Sequence, residues 1–557
     1  ITESKLKLIR ILAKIQYKYL KYSHNFFNIV CRKNDAYMMR IFQIAIILCI
    51  SGRFLSQAQD LDFDADYNFK HENYVVALEQ YQKLLRRDSN DPELHYRIGI
   101  CYLNTNINKA EAIKYFEFAS RFEKSENLIL YDLGRAYFYG GFYDKAIEIF
   151  TKYREFMKDE PEVLKIVDKW LEFCQNARHF TADTLNISFI NLGDDINSDR
   201  ADFNPLVTPD ESIMVYTTDR KYERDLQEHI HYIYQSETKN SRWKRGKTAG
   251  REINSDNHDI CTGLSADAEI LLFNRGKYTG DNDIFFAARI RRRYREPTRL
   301  SREINSAQRE GGACLNANLD ILYFSSEQKE GTGGMDLYFS RKLPTGVWGP
   351  PQSLGDIINT PYDENYPKLS DDGKILYFAS KGHNSMGGYD IFMSRWNDRN
   401  KQWTKPVNMG FPINDTYDNT IISFVEDPRY AYIAAVRPGG MGSYDIYRVV
   451  FKEKEASPVI YNGFIAVGDS LENRSIHEAD TNITMQVINK AGNTVFGKYK
   501  PSKGGKYTIA LPPGEYILKV KGKSYQPWTK EIKIEEGYYK NRLRIMNIYL
   551  QLKSELE

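Results

Sequence analysis

One short motif recurs four times between residues 280 and 451. Each copy begins a run of alternating hydrophobic residues with an aspartate, as in GGYDIFMSRW at 387–396. An Ile-Asn pair lies 29 or 31 residues before each aspartate. The aspartates, which are 53, 54 and 55 residues apart, are Asp283, Asp336, Asp390 and Asp445, and the asparagines are Asn254, Asn305, Asn359 and Asn414. A repeat of this length indicates a fold built from copies of one supersecondary unit.

Each repeat contains a strand, a polar turn and a second strand between its asparagine and its aspartate. With the aspartate strand and a short following strand, this predicts a four-stranded antiparallel blade. The last blade lacks its own fourth strand, and residues 185–191 have the pattern of one. We therefore expect this N-terminal strand to complete the last blade and close the ring without an open edge. The five blades lie within 183–453 and begin near Asp202, His258, Glu310, Asp363 and Tyr417.

Two stretches of the fourth blade resemble the TolB-type, WD-like propeller repeat. They are the turn SDDG at 370–373 and the strand entry YDIF at 389–392. The first blade departs from this pattern, because HYIYQS at 231–236 has no aspartate and the loop 218–230 is long and charged. The resemblance implies a β-propeller, and the count of blade starts predicts that it has five blades.

A second period, of 34 or 35 residues, lies upstream in a helical region that we place at 59–180. Its small and aromatic residues are Ala77 with Tyr81, Ala112 with Phe116, Ala146 with Phe150, Gly99 with Tyr102, and Gly134 with Tyr137. The pattern resembles tetratricopeptide repeats (TPR), with two helices per step. We expect a capping helix at 161–173. Such a stack would offer a concave groove to a partner protein or peptide; alternatively, its helices only brace the next domain.

The C-terminal segment 458–552 alternates hydrophobic and polar residues around the turn Pro512-Pro513-Gly514. The stretch GKYTIALPPGEYILKV at 505–520 resembles the carboxypeptidase-regulatory-like, transthyretin-like β-sandwich. This module is a spacer or binding unit without catalytic groups. The whole chain is therefore expected to be a multidomain protein that combines α-helical repeats with all-β domains.

The N-terminal region has the layout of a secretory signal at 39–58. MMR supplies a short positive segment, IFQIAIILCI an apolar stretch, and Ser56-Gln57-Ala58 a cleavage site of small residues before Gln59. The apolar stretch is too short for a permanent membrane helix. Residues 1–38 are interpreted as an upstream extension, either of the reading frame or into the cytosol. A lipoprotein signal using Cys49 is the alternative, although Leu48 stands where a small residue is expected.

Export changes the meaning of the charge. Removing residues 1–58 takes ten basic and two acidic residues from totals of 77 and 74, so 67 basic and 72 acidic residues remain, a net charge of −5. The formal +3 of the whole chain therefore does not indicate a nucleic-acid partner. The remaining cysteines, Cys101, Cys174, Cys261 and Cys314, match no zinc pattern. Export permits disulfides, but small buried hydrophobic residues are the favoured interpretation.

No catalytic, cofactor or metal site is predicted. A nucleophile elbow needs G-x-S-x-G, and the nearest sequence, 382–387, is one residue out of register. His229 and His231 alternate in a strand-like stretch, yet two imidazoles without a third ligand are weak evidence for a metal site. The Gly-Gly pairs precede strands, whereas a phosphate-binding loop precedes a helix.

The glycine-aspartate motif itself allows two interpretations. Glycine permits the positive φ of a tight loop, and an aspartate at a strand start can accept hydrogen bonds from nearby backbone N–H groups. The alternative is a ligand-binding loop. Because the motif recurs in four blades, whereas an active site is built once, we favour the structural role.

The order of signal, TPR-like helices, propeller and sandwich resembles a family of periplasmic, outer-membrane-associated proteins over nearly all of 62–552. Fuller members end in an OmpA-like peptidoglycan-binding domain, and the best-known one belongs to the type IX secretion and gliding machinery. Only KSELE follows Leu552, so peptidoglycan anchoring is not expected from these residues.

The resemblance implies a non-enzymatic scaffold for envelope proteins, exported to the periplasm and associated with the outer membrane. No nucleic acid, cofactor or small-molecule substrate is indicated. The alternative is a carbohydrate- or peptide-binding module that serves nutrient uptake or an envelope enzyme. Exposed aromatic residues clustered on one propeller face would favour this alternative.

Overall fold

The computed structural model describes residues 64–122, 126–223, 228–276, 282–328, 331–452, 458–468, 474–475, 483–502, 504–534 and 543–553. The predicted extension 1–38, the signal 39–58 and the cleavage site at Ala58 and Gln59 lie outside these residues. Two compact units are present, and the division between them falls between Cys101 and Tyr102. In the described ranges, no helix has both the length and the apolar character needed to cross a membrane.

The first unit is helical. Helix α1 covers residues 64–70, α2 covers Tyr74–Leu85, and α3, Pro92–Leu103, contains the division. Ala77 and Tyr81 are fully buried. The Tyr81 hydroxyl donates to Asp66 over 2.8 Å, and Asp66 also pairs with Arg97. One buried tyrosine therefore links α1, α2 and α3.

The second unit begins with four more helices: α4 Ala112–Ala119, α5 Glu126–Tyr139, α6 Tyr143–Phe156 and α7 Pro161–Ala182. Consecutive helices pack together. Ala112 and Ala146 are fully buried. A Cβ atom at Gly134 would lie 2.7 Å from the Phe150 ring, so α5 and α6 approach closely enough to require glycine there.

Helix α7 is longer than the predicted capping helix 161–173. It continues to Ala182, and its second half buries Cys174 and Ala177. Periodicity alone placed its end too early, because the residues that extend it pack against the following domain. The four described cysteines, Cys101, Cys174, Cys261 and Cys314, are buried and unbridged, as expected for small hydrophobic residues.

Residues 187–451 form five antiparallel sheets, one after another. Strand β1, Ile187–Asn191, comes first and belongs to the last sheet. The strands of the first sheet are β2 Asp202–Val207, β3 Ile213–Glu223, β4 Glu228–Lys239, β5 Arg242–Trp243 and β6 Lys247–Thr248. Those of the second are β7 His258–Leu264, β8 Ile270–Gly276, β9 Asp283–Ile290, β10 Arg293–Tyr294 and β11 Thr298–Arg299.

The remaining three sheets repeat this order. The third has β12 Glu310–Leu315, β13 Ile321–Ser326, β14 Asp336–Arg341 and β15 Gln352–Ser353. The fourth has β16 Glu364–Leu369, β17 Ile375–Ser380, β18 Asp390–Asn397, β19 Gln402–Trp403 and β20 Val407–Asn408. The fifth has β21 Ile422–Phe424, β22 Tyr430–Ala435 and β23 Asp445–Phe451, and β1 pairs with β23 from Ile187 opposite Phe451 to Asn191 opposite Tyr447.

The five sheets pack in a closed cycle, called here the five-sheet ring. The first strands of neighbouring sheets contact each other, β2 with β7, β7 with β12, and β12 with β16. The fourth and fifth sheets share a hydrophobic cluster that includes Ile391 and Ile433. The cycle closes because β2 also contacts β21, β22 and β23. First strands therefore lie innermost, and the short fourth strands form the outer edge.

An asparagine clamp recurs at every corner between sheets. In the fourth sheet, the Asn414 side chain accepts a hydrogen bond from the Ile391 N–H and donates one to the Ile391 carbonyl, each over 2.8 Å. The same pairing joins Asn197 to Ile446, Asn254 to Ile233, Asn305 to Ile284, and Asn359 to Leu337. Each clamp gives the buried N–H of one strand residue its acceptor and adds a second donor to the carbonyl of that residue, which also accepts from a backbone N–H, as Ile391 does from Met409.

The C-terminal part is a two-sheet β-domain with one core. The first sheet has β24 Val459–Val467, β25 Arg474–Ser475, β28 Lys506–Leu511, β31 Leu543–Ile545 and β32 Ile548–Leu550. The second has β26 Thr484–Asn489, β27 Thr494–Tyr499, β29 Gly514–Lys521 and β30 Trp528–Ile534. The alternating residues Tyr507, Ile509 and Leu511 of one sheet join Tyr516, Leu518 and Val520 of the other in a single hydrophobic cluster.

The clamp predicts a large effect of one substitution. Asn414→Ala leaves the N–H of buried Ile391 unpaired and removes one of the two donors to its carbonyl, so we expect the free energy of unfolding to fall by about 2 kcal/mol. Chemical denaturation monitored by tryptophan fluorescence measures this change. Asn400→Ala, at an exposed site in the turn between β18 and β19, is the matched control and should change stability by less than about 0.5 kcal/mol. Equal stability of the two variants would contradict the role of the clamp.

Candidate functional site

Three of the four repeated aspartates hold the loop that precedes them. The carboxylate of Asp390 accepts a hydrogen bond from the Met386 N–H over 2.9 Å and another from the Asn408 amide over 2.7 Å. Asp336 and Asp445 likewise accept from the N–H groups four residues earlier. Asp283 differs, because its carboxylate pairs with Arg299 at 2.6 Å. Asp336, Asp390 and Asp445 therefore hold the backbone of their own loops, and Asp283 is held in an ion pair.

The glycines of the motif have a different role from the one predicted. Positive φ values occur at twelve described glycines, and Gly387 and Gly388 are not among them. Instead, a Cβ atom at Gly387 would lie 2.8 Å from the Thr416 carbonyl oxygen. The loop thus presses against the next corner of the ring, and glycine is needed for close approach rather than for backbone conformation.

A second set of polar residues lies at the start of the first strand of each sheet, and the repeat spacing did not reveal it. Glu364 accepts hydrogen bonds from the Thr360 N–H and hydroxyl, each over 2.7 Å, and from the Ser380 hydroxyl over 2.6 Å. The equivalent pairs are Asp202 with Ser198, Asp259 with Ser255, and Glu310 with Ser306. In the fifth sheet the types are exchanged, because Asn419 accepts from the Asp415 N–H. The signal was present in the first four sheets as a hydroxyl residue after the Ile-Asn pair and an acid four residues later.

Burial shifts the pKa values of several of these carboxyl groups. Loss of hydration raises the pKa of Asp390 to about 8 and those of Glu310 and Glu364 to about 7. Shifted carboxyl groups often mark catalytic sites. Here Glu310 and Glu364 occupy equivalent positions in two sheets, and all three groups accept hydrogen bonds from their own corner or loop, which supports a structural role.

The serine nearest to a nucleophile elbow is also used structurally. Ser385 is fully buried, and its hydroxyl donates to the Gly388 carbonyl over 2.9 Å. His383 lies two residues away, and its Nε2 contacts the Ile358 carbonyl oxygen at 2.9 Å. Neither side chain is arranged to activate the other, so this loop lacks the geometry of a serine hydrolase.

His229 and His231 do not form a shared site. His229 contacts Arg200 and the Asp219 carbonyl. His231 instead lies beside His258, with 3.1 Å between their Nδ1 atoms, and burial lowers the pKa of His231 to about 3. Within the described ranges, no group of three or more His, Cys, Asp or Glu residues is arranged to hold a metal ion.

One lysine is buried among the innermost strands. Lys368 of β16 donates to the Ser423 hydroxyl of β21, and that hydroxyl donates to the Pro205 carbonyl of β2 over 2.7 Å. Burial lowers the pKa of Lys368 to about 8. This chain of hydrogen bonds joins three sheets near the middle of the ring.

The helices α5 and α7 dock on the five-sheet ring at its fourth and fifth sheets. The Asn176 amide of α7 donates to the Ser385 carbonyl over 2.8 Å. The Lys169 ammonium lies 4.1 Å from the centre of the Tyr362 ring, and the Tyr139 ring contacts that of Tyr417 at 5.6 Å. This helix–ring junction therefore uses the loop that contains the glycine-aspartate motif.

A buried lysine and a tryptophan strengthen the helix–ring junction from the helical side. The ammonium of Lys109 lies 5.0 Å from the Tyr139 ring and donates to the Leu103 carbonyl, and burial lowers its pKa to about 8. Trp170 packs against Phe138 and Phe150 and donates to the Tyr131 hydroxyl over 2.9 Å. The sequence left open whether the helices bind a partner or only brace the next domain. The contacts of α5 and α7 with the ring are those expected for bracing.

The helix–ring junction generates a prediction about local opening. Combining Lys169→Glu with Asn176→Ala removes a cation–π contact and a hydrogen bond, so we expect backbone amides of α7 to exchange hydrogen about tenfold faster. Hydrogen exchange read by mass spectrometry measures this effect. Lys165→Glu on the same helix, where the side chain is exposed, is the control and should leave exchange in the second half of α7 unchanged. Equal exchange in both variants would contradict a fixed junction.

The raised pKa of Asp390 predicts that the stability of the folded protein falls as pH rises. Between about pH 4 and 8 the folded protein holds a proton on Asp390 that the unfolded chain releases, so ionisation costs stability as pH rises. Asp390→Asn removes this cost, so its melting temperature should rise relative to the natural protein between pH 4 and 8. Thermal unfolding across this pH range measures the difference. Asp283→Asn, at the equivalent but ion-paired position, should show no such gain, and a pH-independent difference for Asp390→Asn would contradict the assignment.

No protein-family model and no curated protein matches the chain. Among solved structures, TolB from Acinetobacter baumannii is similar at 14% identity over 45% of this chain and 54% of that one, with a TM-score of 0.29. A putative TolB from Agrobacterium tumefaciens is similar at 11% identity over 58% and 98%, also with 0.29. A Trypanosoma rangeli sialidase is similar at 10% identity over 62% and 89%, with 0.31. All three TM-scores are below 0.5, so the assignment of the architecture depends on the observed cycle of sheets and not on these similarities.

Proposed function

We propose that the protein is a non-enzymatic scaffold of the cell envelope. In this proposal the five-sheet ring is a five-bladed β-propeller, the helices are TPR-like, and the C-terminal domain is a carboxypeptidase-regulatory-like sandwich. The protein is exported to the periplasm, associates with the outer membrane, and belongs to a type IX secretion or other envelope complex or assists one.

The helix–ring junction is the observation that carries the proposal. A scaffold must hold its binding surfaces in a fixed relation, because a partner that touches two modules binds better when they are preorganised. Hydrogen bonding by Asn176, the Lys169 cation–π contact and the Tyr139–Tyr417 contact fix α5 and α7 on the ring. The helices and the ring of the second unit thus form one platform.

Apolar side chains on the helices of the second unit supply a docking surface for proteins. Phe142 and Phe156, at the two ends of α6, are each about half exposed. Phe142 contacts the Tyr137 ring edge to face at 6.3 Å, and the Lys145 ammonium lies within 5.5 Å of both ring centres. Aromatic residues bordered by a cation are typical of protein interfaces.

The exposed aromatic residues in the described part of the ring do not favour carbohydrate binding. Among its described residues, the large aromatics with high exposure are Tyr222 and Tyr362. Tyr222 stands on the first sheet, and Tyr362 lies beneath Lys169 at the helix–ring junction. They do not form a cluster on one face, so no observation favours the carbohydrate-binding alternative over the scaffold.

Cross-linking in envelope fractions followed by pull-down tests the scaffold role. We expect the natural protein to recover envelope proteins, including secretion-machine components, and Phe142→Glu with Phe156→Glu to reduce their recovery about tenfold or more. Val495→Glu, at an equally exposed site on the C-terminal domain, is the control and should recover them normally. Recovery of soluble glycans alone would contradict the proposal, as would cleavage of a panel of peptides or glycans by the purified protein.

A further inference from the structure

Two neighbouring hairpins on the outer edge of the five-sheet ring carry a concentrated positive charge. They are residues 237–252 and 289–303, called here the basic edge. These segments contain 13 Lys and Arg but four Glu and no Asp. By contrast, residues 59–557 contain 67 basic and 72 acidic residues overall. The basic edge is therefore a local feature that the average charge conceals.

The fold brings the two hairpins side by side. The first includes the outer strands β5 and β6, and the second includes β10 and β11. Strand β4 of the first sheet contacts β7 of the second. Arg289 of β9 pairs with Glu237 of β4 at 3.3 Å, which joins the bases of the two hairpins. The cations of the two hairpins therefore lie on adjacent sheets of the ring.

Most of this charge is exposed and not neutralised. The exposed cations are Lys239, Arg242, Lys244, Arg245, Lys247, Arg251, Arg291, Arg292, Arg293, Arg295, Arg299 and Arg302. Lys244, Arg251 and Arg299 have acidic partners. For Arg242, Arg245, Arg291, Arg292 and Arg295, no acidic group of the described chain lies within 4 Å.

The composition of the basic edge indicates phosphate as the complementary group. Ten of its 13 basic residues are arginines, compared with 35 of 77 in the whole chain. A guanidinium donates two parallel hydrogen bonds to a phosphate, whereas an ammonium acts as a point charge. The arginines are distributed over the outer strands and turns of two sheets, so they suit many phosphates on an extended surface better than one bound ion.

The hydrophobic and aromatic residues of the basic edge favour a lipid surface over a protein or a nucleic acid as the partner. Ile290, next to the arginine tip, is half exposed, which suits contact with the apolar boundary of a lipid layer. One isoleucine is too little for the apolar centre of a protein interface. Tyr294 is buried and Trp243 packs edge to face against Tyr432, so neither ring is free to stack on the bases of a single-stranded nucleic acid.

We propose that the basic edge docks the protein on a membrane surface that carries anionic phosphate headgroups. The arginines contact the phosphates, and Ile290 inserts at the level of the headgroups. Attraction to an anionic leaflet increases with each basic residue near the surface and is screened by salt. This role goes beyond the proposed scaffold, because it assigns a lipid surface to one edge of the ring.

Vesicle flotation with purified full-length protein tests the proposal. The vesicles contain phosphatidylcholine alone or phosphatidylcholine with 30 mol% phosphatidylglycerol, a composition chosen as a probe. We expect binding to the anionic vesicles at 50 mM salt, loss of binding at about 500 mM, and little binding to neutral vesicles. Arg291→Glu, Arg292→Glu, Arg293→Glu and Arg295→Glu together should weaken binding at least about a hundredfold.

Two further variants keep the test decisive. Replacing the same four arginines with Gln removes charge without repulsion and should still weaken binding at least about tenfold. Lys498→Glu, Lys500→Glu, Lys506→Glu and Lys530→Glu change the net charge equally at exposed sites of the C-terminal domain and should reduce binding less than threefold. Unfolding curves establish that each variant is folded.

Several outcomes would overturn the proposal. These are equal binding of the arginine variants and the natural protein, equal loss in the lysine control, and equal binding to neutral vesicles. Binding to inorganic phosphate or to an RNA oligonucleotide without binding to anionic vesicles would also overturn it. Because only purified protein and lipid are used, this result is independent of whether envelope proteins are recovered in the pull-down.

Discussion

The five-sheet ring depends on one composite interaction at each corner between sheets. The Ile-Asn pair and the two polar residues that follow it connect two blades at once. At the corner after the third sheet, Asn359 holds both backbone groups of Leu337 in that sheet. Its neighbour Thr360 binds Glu364 of the next sheet, and Ile358 between them is fully buried. Each corner thus hydrogen-bonds backward and forward while its isoleucine fills the gap.

The same corner also closes the ring, which explains why an N-terminal strand can complete the last sheet. Asn197 clamps Ile446 of β23, and Ser198 binds Asp202 of β2. The closing corner therefore makes the contacts of an ordinary corner, although its two sides are nearly 250 residues apart in sequence. Strand β1 covers the edge of β23, and the side chains of the corner reinforce this backbone pairing.

The sequence predicts much of this repeat, but not how it works. A fixed spacing identified Asn254, Asn305, Asn359 and Asn414 without showing that each would bind the strand before it. The acids at the start of the first strands were missed because the equivalent position is Asp in two sheets, Glu in two and Asn in the fifth. A search for a period finds identical residues more easily than residues that are only chemically similar. The helix–ring junction was beyond prediction for another reason: Asn176 and Ser385 lie 209 residues apart, and no local pattern reports such a contact.

The helical region and the closure of the ring are physically connected. Helix α7 ends at Ala182, and strand β1 begins at Ile187. The short link between them is held by hydrogen bonds from the Leu185 N–H to the Phe411 carbonyl and from the Lys452 N–H to the Asn186 carbonyl, over 2.9 and 3.1 Å. The contacts of Lys169 and Asn176 with the ring precede this link in the chain. The helix–ring junction therefore fixes the second half of α7 on the ring only a few residues before β1 pairs with β23 and closes it.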